Sequence, residues 1–100
     1  MTLIYITCKD EEEAVKISKH LLEKKLVACS NMHPIRSMYW WEGKIQDDNE
    51  VVIIAKTIGK NYNKIKGEVS KIHSYDTPCI LKIDVEANEA FQEWIDKEVK

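Results

Sequence analysis

Long hydrophobic runs and blocks of basic residues are both missing from this sequence of 100 residues. The longest apolar runs cover only a few residues, as in 51–55, whereas a helix that spans a bilayer needs about 20. Lysine plus arginine total 15, aspartate plus glutamate total 17, and the net charge is −2, with Arg36 as the single arginine. Because nucleic-acid binding depends on clustered basic side chains, we predict neither a nucleic acid nor a membrane among the partners.

Cysteine is also scarce, and the three cysteines, Cys8, Cys29 and Cys79, are widely spaced. No C-x-x-C motif occurs, which excludes a zinc ribbon or a thioredoxin-type site. The first residues, Met1 to Ile4, resemble a strand and lack the basic and apolar regions of a secretory signal. We therefore predict a cytoplasmic protein with free thiols, as a reducing compartment favours.

Glycine is as rare as cysteine, so a glycine-rich phosphate loop is absent, and no nucleophile with an adjacent base is recognisable. The side chains that could form an acid–base site are Glu42, Glu50, Lys56, His73, Tyr75 and Asp76. In such a site Glu50 and His73 would act as acid and base. The alternative interpretation is that these residues are solvated strand ends and surface ion pairs. We predict that the protein is not an enzyme.

What is present is an alternation of strand-like and helix-like segments that we assign to a single domain, residues 1–100. Apolar β-forming segments predict four strands, and apolar residues repeating every three or four positions predict three helices. The predicted strands are 3–6, a long edge strand that begins at 26 and is bent or bulged near 33–34, 50–56 and 79–85. The predicted helices are 11–24, 60–73 and one that follows Asn88. Gly43 and the polar run 46–49 should form the turn before the third strand.

This β-α-β-β-α-β-α order predicts an α+β fold, a ferredoxin-like split β-α-β sandwich with a C-terminal helix and a long bent hairpin between strands two and three. From the handedness of crossover connections we expect strands one and three to lie side by side and parallel. Strand four should then run antiparallel to strand one.

The densest aromatic stretch, Tyr39-Trp40-Trp41-Glu42-Gly43, lies near the end of the long second strand. Neighbouring strand residues face opposite sides, so Trp40 and Trp41 cannot both belong to the core of one monomer. Aromatic side chains are enriched in the buried parts of protein interfaces. The pattern therefore favours self-association, and the alternative is a solvent-facing tryptophan on a bent hairpin.

Cys8, Cys79 and His73 form the candidate metal site, because the predicted fold brings the end of strand one beside the start of strand four. Two thiolates and an imidazole suit a soft ion such as Cu(I), or zinc. The alternative interpretation is that both cysteines are small buried hydrophobic residues within strands.

Three segments of the sequence together resemble the CutA divalent-cation tolerance family. They are 26–31 (Leu-Val-Ala-Cys-Ser-Asn), 37–45 (Ser-Met-Tyr-Trp-Trp-Glu-Gly-Lys-Ile) and 73–78 (His-Ser-Tyr-Asp-Thr-Pro). Glu50 before strand three and Lys56-Thr57 at its end fit the same pattern. The resemblance covers nearly the whole chain.

The resemblance implies a ferredoxin-like fold assembled as a tight homotrimer, in which the hairpin, about 26–57, packs the three sheets together. It also implies a role in tolerance to copper and other divalent cations, with copper binding in some members. The family's trimer is similar to that of the nitrogen-regulatory PII proteins. The alternative function is therefore a trimeric signalling or adaptor protein that senses a small anionic ligand without a metal.

The resemblance further implies that polar and aromatic residues line a cleft between subunits, suited to a small anionic ligand or a metal ion. By matching motif these are Cys29, Tyr39, Trp41, Glu42, Lys44, Glu50, Lys56, His73 and Tyr75.

The sequence departs from the family pattern at four positions. Ser74 stands where members commonly have proline, and Cys79 stands where they commonly have glutamate, which favours soft metals. Copper-linked members can carry a strand-one cysteine and paired histidines. Ile6 and Ile72 align near two of those positions, so only His73 carries over directly, and Cys8 is out of register.

Overall fold

The structure, a computed structural model, describes all 100 residues as one four-stranded sheet with three helices. The strands are β1 (Thr2–Cys8), β2 (Cys29–Trp41), β3 (Lys44–Thr57) and β4 (Ile80–Asp84), and the sheet order is β2-β3-β1-β4. The helices are α1 (Glu11–Glu23), α2 (Tyr62–Ile72), preceded by a 3-10 turn at Gly59–Asn61, and α3 (Glu89–Glu98). The predicted ferredoxin-like α+β fold with a C-terminal helix is confirmed. None of the helices is long and apolar enough to span a membrane.

The prediction that strands one and three run parallel is wrong. β1 pairs antiparallel with β3, with Thr2 opposite Thr57 and Cys8 opposite Val51. The crossover through α1 returns the chain in its original direction, so β2, not β3, runs parallel to β1. The hairpin then reverses the chain, and β3 fits between these two strands. The expected antiparallel pairing of β4 with β1 is confirmed.

The turn of the long hairpin is shorter than predicted and consists of Glu42 and Gly43 alone. Both residues have positive φ, 50° and 76°, as a two-residue type I′ turn requires. The polar run 46–49, predicted as part of the turn, belongs to β3, because the hairpin extends past the helices and both of its faces meet water there.

The second strand begins at Cys29, three residues later than expected, and lies at the edge of the sheet as predicted. Its pairing with β3 continues without interruption from Cys29 opposite Lys56 to Trp41 opposite Lys44, so no bulge occurs near Pro34. An edge strand tolerates a proline because one side of it needs no ladder hydrogen bonds.

Alternation along β1 separates a buried face from an open face of the sheet. Ile4, Ile6 and Cys8 are fully buried in the core that α1 and α2 complete. Tyr5 points to the other face, opposite Ile54 of β3 and Leu81 of β4. Leu81 is 48% exposed, which leaves part of the open face without a covering element.

Candidate functional site

A cleft of about 920 Å³ lies between the open face of the sheet, the hairpin and the loop after α2. β1 contributes Tyr5, because alternation turns odd-numbered residues of this strand away from the core. The hairpin contributes Tyr39, Trp41 and Glu50, and the loop contributes Tyr75. Four aromatic side chains and a carboxylate therefore meet in one concave surface of ligand size.

Glu50 is the buried acid of this cleft, with 8% of its surface exposed. Its Oε2 accepts a hydrogen bond of 2.6 Å from the Tyr75 hydroxyl. Its Oε1 has no hydrogen-bond partner. Every fully buried side-chain oxygen of the structure has one, so Oε1 is accessible from the cleft. Burial, followed by the hydrogen bond to Glu50, raises the pKa of Tyr75, so its phenol stays protonated.

The arginine and one tyrosine of the cleft are already hydrogen-bonded to aspartates. Arg36 donates two hydrogen bonds to Asp47, of 2.9 and 2.6 Å, which raises the pKa of the guanidinium and lowers that of the carboxyl. The Tyr39 hydroxyl donates to Asp48 at 2.5 Å, and this hydrogen bond raises the pKa of Tyr39. With its one arginine occupied, the cleft offers little to the small anionic ligand of the alternative prediction.

A second cluster lies behind the sheet, where the ligating atoms of Cys8, Glu13 and His73 are within 4.8 Å of one another. Glu13 comes from the first turn of α1, whose N-cap Asp10 accepts a hydrogen bond from the Glu13 N–H at 2.9 Å. In return, the Glu13 carboxylate accepts N–H bonds from Lys9 at 3.0 Å and Ser74 at 2.8 Å. The side chain thus links α1 to the loop after α2.

The imidazole of His73 is held by both ring nitrogens. Nδ1 accepts the Tyr75 backbone N–H at 3.0 Å, and Nε2 lies 2.8 Å from the Thr7 carbonyl oxygen. A nitrogen that accepts carries no proton and one that faces a carbonyl must donate, so the geometry assigns a neutral ring with its proton on Nε2.

The electrostatics of the cluster favour a protonated thiol beside an ionised carboxylate. Burial, and then the charge of Glu13, raise the pKa of Cys8 to about 12. Burial opposes ionisation of Glu13, but the hydrogen bonds from Lys9 and Ser74 outweigh it and lower its pKa.

Thiol, carboxylate and imidazole donors at this spacing fit a soft or borderline ion such as zinc or copper. Such an ion would have to displace the thiol proton and compete with the existing hydrogen bonds of Glu13 and His73.

The predicted trio of Cys8, Cys79 and His73 does not come together. Cys8 lies in the core behind the sheet, whereas Cys79 lines the cleft on the open face, because it precedes Ile80, which pairs with the core-facing Ile6. Glu13 takes the third position of the cluster instead. Sequence analysis missed this role, although the Asp10–Glu13 spacing typical of a helix cap marks the residue.

The other predicted cleft residues are spread along the hairpin of this single chain. Glu42 and Lys44 lie at its tip, and Cys29 and Lys56 are paired near its base. The Lys56 ammonium donates to Asn31 at 2.7 Å and lies 5.6 Å from the centre of the Phe91 ring. Lys56 lies six positions along β3 from Glu50, a distance of about 20 Å.

The acid–base pair considered from the sequence is not formed. Glu50 binds the Tyr75 hydroxyl, whereas His73 binds the backbone of Thr7 and of Tyr75. Sequence analysis also missed Tyr5, whose position in the cleft follows only from the pairing of β1.

Comparisons with known proteins agree over the whole chain. The sequence model of the family described as CutA1 divalent ion tolerance protein matches residues 2–98. The divalent-cation tolerance protein CutA of Archaeoglobus fulgidus is 48% identical over 98 residues, covering 97% of this chain and 96% of that protein. The protein of the same name from Pyrococcus horikoshii is 42% identical, covering 100% of this chain and 99% of that protein.

Solved structures show the same architecture. CutA from Archaeoglobus fulgidus, described there as a periplasmic divalent cation tolerance protein, has a TM-score of 0.96 at 47% identity and 100% coverage of both chains. CutA1 from Pyrococcus horikoshii also has a TM-score of 0.96, at 40% identity, with 100% of this chain and 99% of that chain covered. The family resemblance seen in the sequence is confirmed, and this chain belongs to the CutA1 divalent ion tolerance protein family.

Proposed function

We propose that this protein acts in divalent-cation tolerance by binding a metal ion at Cys8, Glu13 and His73. The observation that supports the proposal is the convergence of these three ligand atoms within 4.8 Å. A thiol and an imidazole favour copper, as Cu(I), or zinc over hard cations. The proposal replaces Cys79 of the predicted trio by Glu13 and involves binding rather than catalysis.

Metal titration of cysteine variants tests this site. We expect Cys8→Ser to weaken Zn(II) and Cu(I) binding strongly, because a hydroxyl is a poor ligand for either ion, and Glu13→Gln to weaken it less. The matched controls, Cys29→Ser and Cys79→Ser, remove the two thiols outside the cluster and should bind as the wild type does. Equal affinities for all five proteins, measured calorimetrically on samples with native circular dichroism, would contradict the proposal.

We also propose that the working form is a homotrimer joined through the hairpin. The hairpin exposes 66% of Met38, 71% of Trp40, 59% of Trp41 and 60% of Ile45. Burying such side chains is worth about 1.5–3 kcal/mol each, which favours their coverage by a sister subunit. Assembly would also place hairpins of neighbouring subunits against each other.

Size-exclusion chromatography with light scattering measures the mass of the assembly in solution. We expect a mass of three chains for the wild type and dissociation for Trp40→Glu, which puts a charge at the contact. Trp94→Glu, on α3, is the control that should remain a trimer. A wild-type protein with the mass of one chain would refute the assembly.

The cleft around Glu50 is the proposed ligand site of the assembly. A neighbouring subunit would bring to it four residues that lie away from Glu50 in one chain: Cys29, Glu42, Lys44 and Lys56.

We further propose a cytoplasmic location, which the three unpaired thiols favour. Cell fractionation with tagged protein would test it, and recovery outside the cytoplasm would contradict it.

A further inference from the structure

We propose that the cleft binds a primary alkylammonium ion, with the ammonium group at Oε1 of Glu50 and the alkyl chain along the aromatic walls. The inference rests on the ligand-binding role proposed above for the cleft and specifies the chemical class of the ligand. The ammonium site lies in the cleft, whereas the metal cluster lies behind the sheet.

The state of Glu50 is the first observation behind this inference. The side chain is more than nine-tenths buried, yet only Oε2 has a partner, the Tyr75 hydroxyl. Oε1 of this largely buried residue is an open acceptor, and a charged N–H donor forms the strongest kind of hydrogen bond to a carboxylate. Glu50 lines the cleft and its Oε1 is accessible, so a molecule that enters the cleft can supply this donor.

The walls of the cleft select an organic body for that cation. Tyr5, Tyr39, Trp41 and Tyr75 surround the space. Aromatic faces attract cations within about 6 Å and also pack against methylene groups. An aliphatic amine uses both properties, whereas a bare metal ion uses only the first.

The charges of the chain that supplies Glu50 oppose the two rival ligand classes. Besides Glu50, its lining carries Asp76, and its only lining cation, Arg36, is held by Asp47, so this part of the cleft offers an anion no free positive charge. Hard divalent ions require about six oxygen ligands, but the only buried carboxylate here offers one free oxygen. The phenols of Tyr39 and Tyr75 remain protonated, since the pKa of each is raised, and they add no anionic ligand.

Calorimetric titration with hexylamine, at a pH where it is an ammonium ion, tests the proposal. Hexan-1-ol and hexanoate have the same alkyl chain with a neutral or negative head group. We expect hexylammonium to bind and both analogues to bind at least about tenfold more weakly, because a charge-assisted hydrogen bond contributes roughly 1.5–3 kcal/mol. Equal or tighter binding of hexanoate, or no binding of hexylammonium, would overturn the ligand class.

The decisive variant is Glu50→Gln, whose amide oxygen can still accept the Tyr75 hydroxyl while the negative charge is lost. It should bind hexylammonium at least about tenfold more weakly. Glu12→Gln removes an exposed carboxylate from α1, away from the cleft, and should leave the affinity unchanged. Unchanged affinity in a folded Glu50→Gln protein would also overturn the proposal. Metal titration and mass measurement on the same samples test the proposed function separately from the ligand class. If the protein binds metal and has the mass of a trimer but does not bind the amine, only the ligand class is refuted.

Discussion

At the scale of single residues, Lys25 occupies a position that favours glycine. It ends α1 with φ of 60°, in the left-handed region. Its N–H donates to the Leu22 carbonyl at 3.0 Å, and the Leu26 N–H donates to the Leu21 carbonyl at 3.0 Å. These two bonds and the burial of Leu21 and Leu26 define a Schellman motif. The motif requires a positive φ at Lys25, so the hydrogen bonds that end α1 come with backbone strain at this residue.

Replacing this residue should stabilise the protein. We expect Lys25→Gly to raise the free energy of unfolding by about 0.5–1 kcal/mol, since glycine adopts a positive φ without a Cβ clash. Lys24→Gly, at a residue with φ of −81°, should instead lower it, because only the entropy cost of glycine remains. Urea unfolding at one fixed protein concentration measures both. A loss of stability in both variants would show that the left-handed backbone is not strained.

At the scale of elements, Glu68 of α2 joins the two helices that cover the sheet. Its carboxylate lies 2.9 Å from Nε2 of His20, 3.1 Å from the Lys71 ammonium and 3.5 Å from that of Lys24. The hydrogen bond from His20, followed by that from Lys71, lowers the pKa of Glu68 to about 2. Ionised Glu68 therefore favours the packed arrangement of α1 and α2 over the unfolded chain.

The contribution of Glu68 to the stability of the folded protein should decrease as the pH falls. Because its pKa is lower in the folded protein than the ordinary 4.5, the contribution is present above pH 4.5 and is lost as the pH falls towards about 2. We expect Glu68→Gln to reduce the fall in melting temperature over this interval. Glu23→Gln, which removes an exposed acid at the end of α1, should keep the wild-type slope. Parallel curves for wild type and Glu68→Gln would disprove the role of this carboxylate.

At the scale of the whole molecule, a single chain is elongated and buries few of its residues. Only 21 of 100 residues are buried, and the longest dimension is 45 Å against 25 and 21 Å for the others. The radius of gyration is 14.0 Å, larger than the roughly 13 Å of a compact chain of this length, because the hairpin projects from the body. Its apolar side chains favour an assembled state.

Assembly should make thermal stability depend on concentration. If unfolding is coupled to dissociation, the melting temperature of the wild type should rise with protein concentration, by mass action. Trp40→Ser should melt lower and lose part of this dependence, whereas Trp94→Ser should keep it. Differential scanning calorimetry over about a hundredfold range of concentration provides the measurement. A constant wild-type melting temperature would rule out coupled dissociation.

Local signals in the sequence were sufficient for the type and order of the elements. Period-two and period-3.6 patterns predicted all four strands and three helices, and Pro34 indicated that β2 lies at an edge. The Trp40-Trp41 pair predicted that one indole could not be core, and in a single chain both are largely exposed. These features depend on neighbouring residues alone, so no knowledge of the assembled sheet was required.

Features that depend on distant residues were decided only by tertiary structure. The antiparallel pairing of β1 with β3 arises because the crossover through α1 makes β2 parallel to β1 and the hairpin then reverses the chain into β3. The separation of Cys8 from Cys79 depends on strand register, since a shift of one residue moves a side chain to the opposite face. Glu13 reaches the Cys8–His73 cluster, and Tyr75 reaches Glu50, only because the loop after α2 folds back over the end of β1. Sequence patterns record which residues are near one another along the chain, whereas a site requires knowing which are near one another in space.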